Sequence, residues 1–334
     1  MKKKIEFSFV IPVYNRPKEV NELLKSMKNQ TDANFEVIII EDGSVDKSEA
    51  EINKFTADLN IRYFYKQNSG PGLSRNYGCN QASGNYYIVL DSDCILPENY
   101  FSVVKAELKN NYVDVFGGPD RAHASFTYFQ RAINYSMTSF LTTGGIRGGG
   151  EGLDKFYPRS FNMGFSKEVF QKTQGFSNMR FGEDIDMSIR ILQNNFNTRL
   201  FKEAFVYHKR RSNIRQFFKQ IFNSGIARIQ LYLKYPFSLK FVHLLPIIFL
   251  IGLIFMIVFS YLISIYFLFP ILFHISLLFI DSSVKNRNLM IGFLSLVTSY
   301  TQLISYALGF VVAFWKNIIL RRGSFSAFER NFYK

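Results

Sequence analysis

Two carboxylates, Asp91 and Asp93, flank Ser92 directly after the apolar run Tyr86–Leu90. Alternate side chains of a strand share a face, and in the turn that follows both can aim at one ion. Hard oxygen ligands suit Mg2+ or Mn2+, which typically bind through one or two carboxylates together with phosphate oxygens. A solvated turn would use the same residues, so the pair gains meaning from its companions. Asp42 follows the apolar Val37–Ile40 in the same way, with a carboxylate able to accept a hydrogen bond from a base or ribose edge. An Asx turn over Asp42-Gly43-Ser44 is the structural alternative. Gly70-Pro71-Gly72 with Arg75 and Asn76 forms a loop and helix start suited to phosphate or base. It is neither a Walker loop, since no Gly-Lys-Ser or Gly-Lys-Thr follows, nor the Gly-x-Gly-x-x-Gly dinucleotide fingerprint, which argues against a nicotinamide enzyme. Further on, Glu183, Asp184 and Asp186 crowd one helix start. The helix dipole favours carboxylates there, but three exceed what a cap needs, and a neighbouring carboxylate raises a pKa toward that of a useful base. His208 precedes Lys209-Arg210-Arg211, three cations suited to phosphate.

These residues need elements to hold them. Phe7–Val13, residues 35–40, Ile61–Tyr65 and Tyr86–Leu90 are predicted strands. Helical segments are expected near residues 18–29, 46–58 and 73–83, with a later helix over Ile185–Leu192. Such alternation argues for an α/β fold, a mostly parallel sheet covered on both faces. Ligands of such sheets bind at the carboxyl ends of the strands, where the clusters just named fall. Thr142–Gly152 is Gly-rich and is expected to act as a lid.

Charge is unevenly placed. Residues 1–198 carry 23 basic and 23 acidic groups, whereas residues 199–240 carry ten basic groups against Glu203 alone. Phe241–Ile280 and Asn288–Trp315 contain no Asp, Glu, Lys or Arg. About 20 apolar residues span a bilayer, so the first stretch holds two crossings, turning within residues 260–270, and the second holds one. Cations beside such spans favour the cytoplasmic side. A membrane surface therefore explains the basicity better than nucleic acid does. Residues 214–235 mix apolar and basic residues in an interfacial amphipathic pattern. No secretory signal is apparent, and two cysteines, Cys79 and Cys94, form no disulfide framework.

Taken in order, these pieces resemble family 2 glycosyltransferases of the GT-A fold. The matching segments are Pro12-Val13-Tyr14-Asn15, Glu41-Asp42-Gly43-Ser44-Val45-Asp46 and Gly70-Pro71-Gly72-Leu73-Ser74-Arg75-Asn76. Asp91-Ser92-Asp93, Phe161-Asn162-Met163-Gly164-Phe165, Gly182-Glu183-Asp184 and His208 follow. The resemblance covers roughly residues 5–235, and the sequence departs from the commoner Asp-Asp-Gly-Ser by carrying Glu41. It implies a nucleotide-sugar site drawn from Pro12, Tyr14, Asn15, Asp42, Arg75, Asn76, Asp91, Ser92, Asp93 and Asn162. Within it, Asp42 would pair with the base and Asp91 would face the ribose. Asp93 and His208 would bind a divalent metal, Mg2+ or Mn2+. Asp184 would be the general base, with Glu183, Arg211 and Gln220 toward the acceptor or the leaving diphosphate. The implied domains are a catalytic domain over residues 1–213, a basic amphipathic interfacial region over 214–240, two to three transmembrane helices over 241–315 and a basic tail over 316–334.

The implied activity is inverting sugar transfer from a nucleotide-sugar donor to a hydroxyl of a lipid-linked glycan acceptor. The enzyme would be a multi-pass protein of the inner (plasma) membrane with its catalytic domain in the cytoplasm. A polyprenyl-phosphate glycosyltransferase is the alternative within the class, and a non-catalytic membrane scaffold is the alternative outside it. A small transporter fits less well, because the spans carry almost no ionisable group besides His274.

Overall fold

The computed structural model describes residues 4–144 and 157–321. The chain divides into two compact units, residues 1–123 with 152–209 and residues 124–151 with 210–334. The segment that begins at residue 124 and ends before 152, which the sequence assigns to the first domain, thus groups with the C-terminal helices.

In the first unit, β1 (Phe7–Val13), α1 (Pro17–Lys28), β2 (Glu36–Asp42), the one-turn α2 (Glu49–Ile52), β3 (Asn60–Lys66), α3 (Pro71–Gln81) and β4 (Tyr86–Leu90) follow in turn. β1 pairs in parallel with β2 and β4, and β2 with β3. Every residue of β1, β2 and β4 is buried, as a sheet covered on both faces requires. Side-chain alternation sorts them. Phe9, Ile11, Val37, Ile39 and Ile88 enter one core with Phe101, whereas Val10, Ile38, Ile40 and Val89 enter the other with Met187. Because the strands run in parallel, Val13, Asp42 and Leu90 end at one edge, and the polar segments that follow them share that edge.

Next come β5 (Cys94–Ile95), α4 (Tyr100–Asn110), β6 (Val115–Gly117) and β7 (Asp120–Arg121), and later β8 (Asn162–Ser166), α7 (Lys167–Thr173), α8 (Glu183–Gln193), β9 (Thr198–Leu200) and β10 (Val206–His208). The main sheet runs β3-β2-β1-β4-β8-β6-β9. β8 is antiparallel to both β4 and β6, so the sheet is mostly, not wholly, parallel. A second sheet, β5-β10-β7, sets His208 opposite Cys94. The helix expected over residues 46–58 shrinks to α2 and the 3-10 turn Asn53–Phe55.

The second unit begins with α5 (Tyr128–Thr138), opened by a Thr127/Gln130 capping box, and α6 (Phe140–Thr143). It continues with α9 (Ile214–Lys234), α10 (Leu245–Leu262), α11 (Phe269–Asn286) and α12 (Leu289–Phe314). Gly144 ends α6, and the rest of the expected lid over Thr142–Gly152 lies outside the described residues. Three stretches, Leu245–Leu262, Ile265–Asn286 and Leu289–Ile319, are long and apolar enough to cross a membrane. The first two are separated by Ile263 and Ser264.

The third stretch is half buried, the first not at all. Its polar residues explain the contrast. Ser295, Thr298, Ser299 and Ser305 of α12 are fully buried. Thr298 Oγ1 donates to the Ala132 carbonyl at 3.1 Å, and Ser282 Oγ to Ser295 Oγ at 2.7 Å. Part of the apolar stripe of α9, expected at a membrane surface, is covered, while Ile214 and Phe218 stay exposed. Phe217 and Ile221 pack on Ile133 and Met137 of α5, and Ile226 and Ile229 pack on Phe310 and Ala313 of α12.

Glycines permit the closest crossing. A Cβ on Gly309 would lie 2.0 Å from the Phe222 carbonyl oxygen, and one on Gly225 would lie 2.3 Å from that of Tyr306. These are backbone atoms, so the two helices would have to separate. Gly309→Val is expected to destabilise the protein by about 1–3 kcal/mol. Gly252→Val, whose Cβ meets nothing within 4 Å, should be nearly neutral. Thermal unfolding of both variants in detergent checks this, and equal melting points would contradict the close crossing.

Candidate active site

At the shared strand edge of the first unit, charged side chains from distant segments converge. Asp91 and Asp93 follow β4. Pairing of β5 with β10 carries His208 to them, with Nε2 3.1 Å from Asp93 Oδ1 and 3.7 Å from Asp91 Oδ2. The His208 ring stacks on Phe161, with centroids 5.1 Å apart, and Asp120 Oδ2 of β7 lies 4.0 Å from Nδ1. Arg16, just after β1, forms an ion pair with Asp93 Oδ2.

Arg75 of α3 is the hinge of the arrangement. Its side chain is 3% exposed and donates to Asp91 Oδ1 at 2.7 Å and to Glu183 Oε1 at 2.9 Å. It therefore ties the Asp-Ser-Asp turn to the start of α8. That helix opens on Gly182 in the left-handed region (φ +80°), a conformation a side chain resists. Asp184 Oδ1 accepts from the Ile185 N–H at 2.8 Å, and Oδ2 accepts from Arg159 Nε at 2.6 Å. Ser188 Oγ, donating to the Pro158 carbonyl at 2.7 Å, fixes the segment that carries Arg159. Asp186 turns away and pairs with Arg190 at 2.7 Å, so two carboxylates rather than three face the cluster.

Electrostatics separates those two. Burial first, then the Asp184 carboxylate, push the Glu183 carboxyl up to about 7 despite the opposing pull of Arg75. Burial would raise Asp184 too, but Arg159, the Ile185 N–H and Arg75 outweigh it and hold that carboxyl below its ordinary value. Below about pH 7 the pair thus carries one proton, chiefly on Glu183. Above it both carboxylates are ionised, and like-charge repulsion makes Asp184 the stronger proton acceptor.

The donor set fits a hard divalent cation. Asp93 Oδ1 and His208 Nε2 lie together, with Asp91 Oδ2 farther from the same nitrogen, and the acidic side chains of the cluster outnumber Arg16, Arg75 and Arg159. Cys94 Sγ lies within 4.8 Å of the Asp93 and His208 donor atoms. Burial, with the neighbouring carboxylates, raises that thiol well above its ordinary value, and it points at the Phe161 carbonyl at 3.6 Å. It packs as a thiol.

Other expected site residues hold the frame. Asp42 accepts from the Ser69 and Gly70 N–H groups at 2.9 and 2.8 Å and pairs with Lys66, so it organises the loop leading into α3. Glu41 accepts from Ser44 and from the Ser48 N–H. Asn15 Oδ1 accepts from Val45 and Asp46 at 2.9 and 3.0 Å. Pro12 lies within β1, Tyr14 directly follows it, and Ser92 is buried between the two aspartates. Asn76 clasps the Phe176 backbone, and Asn162 is fully buried, bonded to Tyr100 and to the Ala204 carbonyl. These last two do not join the charged cluster. Arg211 and Gln220 belong to the second unit. Arg16, Asp120 and Arg159 join the cluster unforeseen. Arg16 was marked only by its place after β1, and the other two gave no local signal.

A sequence-family model described as Glycosyl transferase family 2 matches residues 8–174, half of the chain. The chain belongs to that family. An uncharacterized glycosyltransferase of Haemophilus influenzae is 30% identical over 219 residues, covering 62% of this chain and 70% of that protein. A Campylobacter jejuni protein named GalNAc(5)-diNAcBac-PP-undecaprenol beta-1,3-glucosyltransferase is 31% identical over 115 residues, 34% of this chain and 37% of that one. The chain spans less than a fifth of the Rickettsia glycosyltransferases it matches. A mannosyltransferase of Pyrobaculum calidifontis, solved with GDP-Man and Mn2+, superposes with a TM-score of 0.66 at 13% identity, covering 94% of this chain and 88% of that one. This family 2 glycosyltransferase therefore combines the GT-A-like fold with three helices able to cross a membrane.

Proposed function

We propose that this glycosyltransferase moves a sugar, with inversion, from a nucleotide-sugar donor to a hydroxyl of a lipid-linked glycan. The observation that carries the proposal is Arg75, which joins the Asp-Ser-Asp turn to the Glu183-Asp184 helix start. Donor and acceptor functions then share one site. Asp91 faces the donor nucleotide. Asp93 and His208 would hold a divalent cation, Mg2+ or Mn2+, which when bound neutralises charge on the donor diphosphate. Asp184 takes the proton of the acceptor hydroxyl. The acceptor oxygen forms the new bond to the anomeric carbon as the bond to the diphosphate breaks, and the diphosphate leaves with the electron pair. Direct displacement inverts the centre and needs no covalent enzyme intermediate. Arg75 holds the Glu183 side chain toward the Asp-Ser-Asp turn, and Arg159 keeps the base oriented until an acceptor competes for it.

The Campylobacter relative, named for a PP-undecaprenol-linked glycan, and the three apolar helices support a lipid-linked acceptor. Nucleotide sugars are cytosolic, so the catalytic unit belongs on the cytoplasmic face of the plasma membrane, with Lys285 and Arg287 on the same side. A donor screen on purified protein in detergent, reading nucleotide release with and without Mn2+, tests the proposal. Release from no nucleotide sugar under either condition would overturn it.

The Glu183 shift gives an expected pH profile. kcat/KM should rise through about pH 7 as the carboxylate pair loses its shared proton. Glu183→Gln removes the like charge, so this limb should move to lower pH, toward the depressed titration of Asp184. Profiles between about pH 5.5 and 8.5, above the ordinary carboxylate range, test this, with the limb present in the unmodified enzyme and absent from this window in the variant. A limb unmoved in the variant would contradict the coupling.

A further inference from the structure

Within the second unit, a groove of about 500 Å3 opens between α6 and the C-terminal half of α11. Phe140, Leu141, Leu277, Ile280 and Val284 supply its apolar wall, and Phe140, Ile280 and Val284 are each more than half exposed. Its far end is polar. Asp281 Oδ2 accepts from Tyr135 Oη at 2.7 Å and from Lys285 Nζ at 2.9 Å. One carboxylate is thereby neutralised by a neutral donor and a cation. Lys285 remains 59% exposed, so its ammonium is available to a second anion. Arg131 donates to the Asn286 carbonyl at 3.2 Å, and exposed Arg287 ends the helix. Among the described residues, Asp281 and Lys285 are the only charged ones of the lining, and Arg131 and Arg287 follow just beyond it, so the stretch leading out of the groove carries three cations against Asp281.

The groove follows a helix apolar enough to cross a membrane, and the cations sit where that helix ends. An open apolar groove that leads toward cations at the end of such a helix complements an amphiphile with a long hydrocarbon chain and an anionic head. We infer that this groove seats the lipid phosphate of the acceptor, with the first isoprenoid or alkyl segment against Leu277, Ile280 and Val284 and the phosphate on Lys285 and its neighbours. The occupant presupposes the lipid-linked acceptor proposed above. It further specifies that the carrier's phosphate and chain are recognised apart from the sugar, by residues outside the catalytic cluster. A bulk phospholipid is the competing occupant, and the competition below separates the two.

The probe is a long-chain isoprenyl phosphate carrying a diazirine next to the phosphate, added to the full chain in detergent. Photolabelling should fall on residues 140–141 and 277–285. Untagged isoprenyl phosphate should compete, and the isoprenol of equal length or phosphatidylglycerol should not. Lys285→Glu reverses one charge at the head-group position and should weaken labelling by about tenfold, whereas Lys285→Arg should retain it. Nucleoside diphosphate binding with Mn2+, measured on the same samples, keeps the two proposals distinguishable. Labelling spread evenly over Leu245–Leu262, equal competition by phosphatidylglycerol, or an unchanged Lys285→Glu variant would overturn the groove while nucleotide binding persists. Loss of nucleotide binding in the unmodified protein would instead count against the catalytic proposal.

Discussion

Replacing Asp184 with Asn should lower turnover by about 10²–10⁴-fold, the usual cost of a missing general base, while nucleotide-sugar binding persists. The amide keeps the shape of the side chain and can still accept from the Ile185 N–H, but it cannot take a proton from the acceptor. The partner left behind tolerates the change, because the Arg159 side chain is 37% exposed and water can solvate its guanidinium. Glu183 and Arg75 remain paired, so the donor end of the site is undisturbed. Turnover within about threefold of the unmodified enzyme, well short of that cost, would place the base elsewhere. Glu183, with its higher proton affinity, would be the next candidate.

Asp93→Asn is expected to have a comparable effect by another route. Loss of partners that merely orient a metal ligand commonly costs 10–100-fold in metal affinity or activity, so loss of a carboxylate ligand should cost at least about 100-fold. Asn also releases Arg16, which pairs with Asp93. Arg16→Gln should therefore be made alongside it, to separate loss of the metal from loss of the ion pair. Electron paramagnetic resonance of Mn2+ gives a readout independent of turnover. The bound-ion signal should disappear in Asp93→Asn and in His208→Ala and persist in Asp184→Asn. Full activity of Asp93→Asn in excess EDTA would sink the metal assignment.

How much of this the sequence announces depends on how local each signal is. β1 and β4 are legible to the residue, because a strand buried on both faces reads as a largely apolar run, broken in β1 only by Ser8 and Pro12. The antiparallel β8 is not, since Asn162-Met163-Gly164-Phe165-Ser166 carries little strand pattern, and Gly164 is there because the Phe116 ring would meet a Cβ at 2.0 Å. Asp91 and Asp93 are visible because they follow a recognisable strand. Arg159 and Asp120 are not, because they enter the site through tertiary pairing alone. Asn162 shows a different limit of local signals. A polar residue in a matching motif suggests a ligand contact, yet its amide is bonded within the core. Likewise α9 has the composition of a membrane-surface helix. Which surface its apolar stripe covers depends on α5 and α12, and periodicity cannot name the partner.

The most direct test of the account follows a radiolabelled sugar from a nucleotide-sugar donor, identified by the donor screen, into the lipid-extractable fraction. The full chain is supplied with membranes and Mn2+, beside the Asp184→Asn and Asp93→Asn variants. The account requires label to pass into the organic phase with the unmodified enzyme and with neither variant, while Asp184→Asn still binds the nucleotide with Mn2+. Label released only as free water-soluble sugar, or transferred at the unmodified rate by both variants, would contradict it.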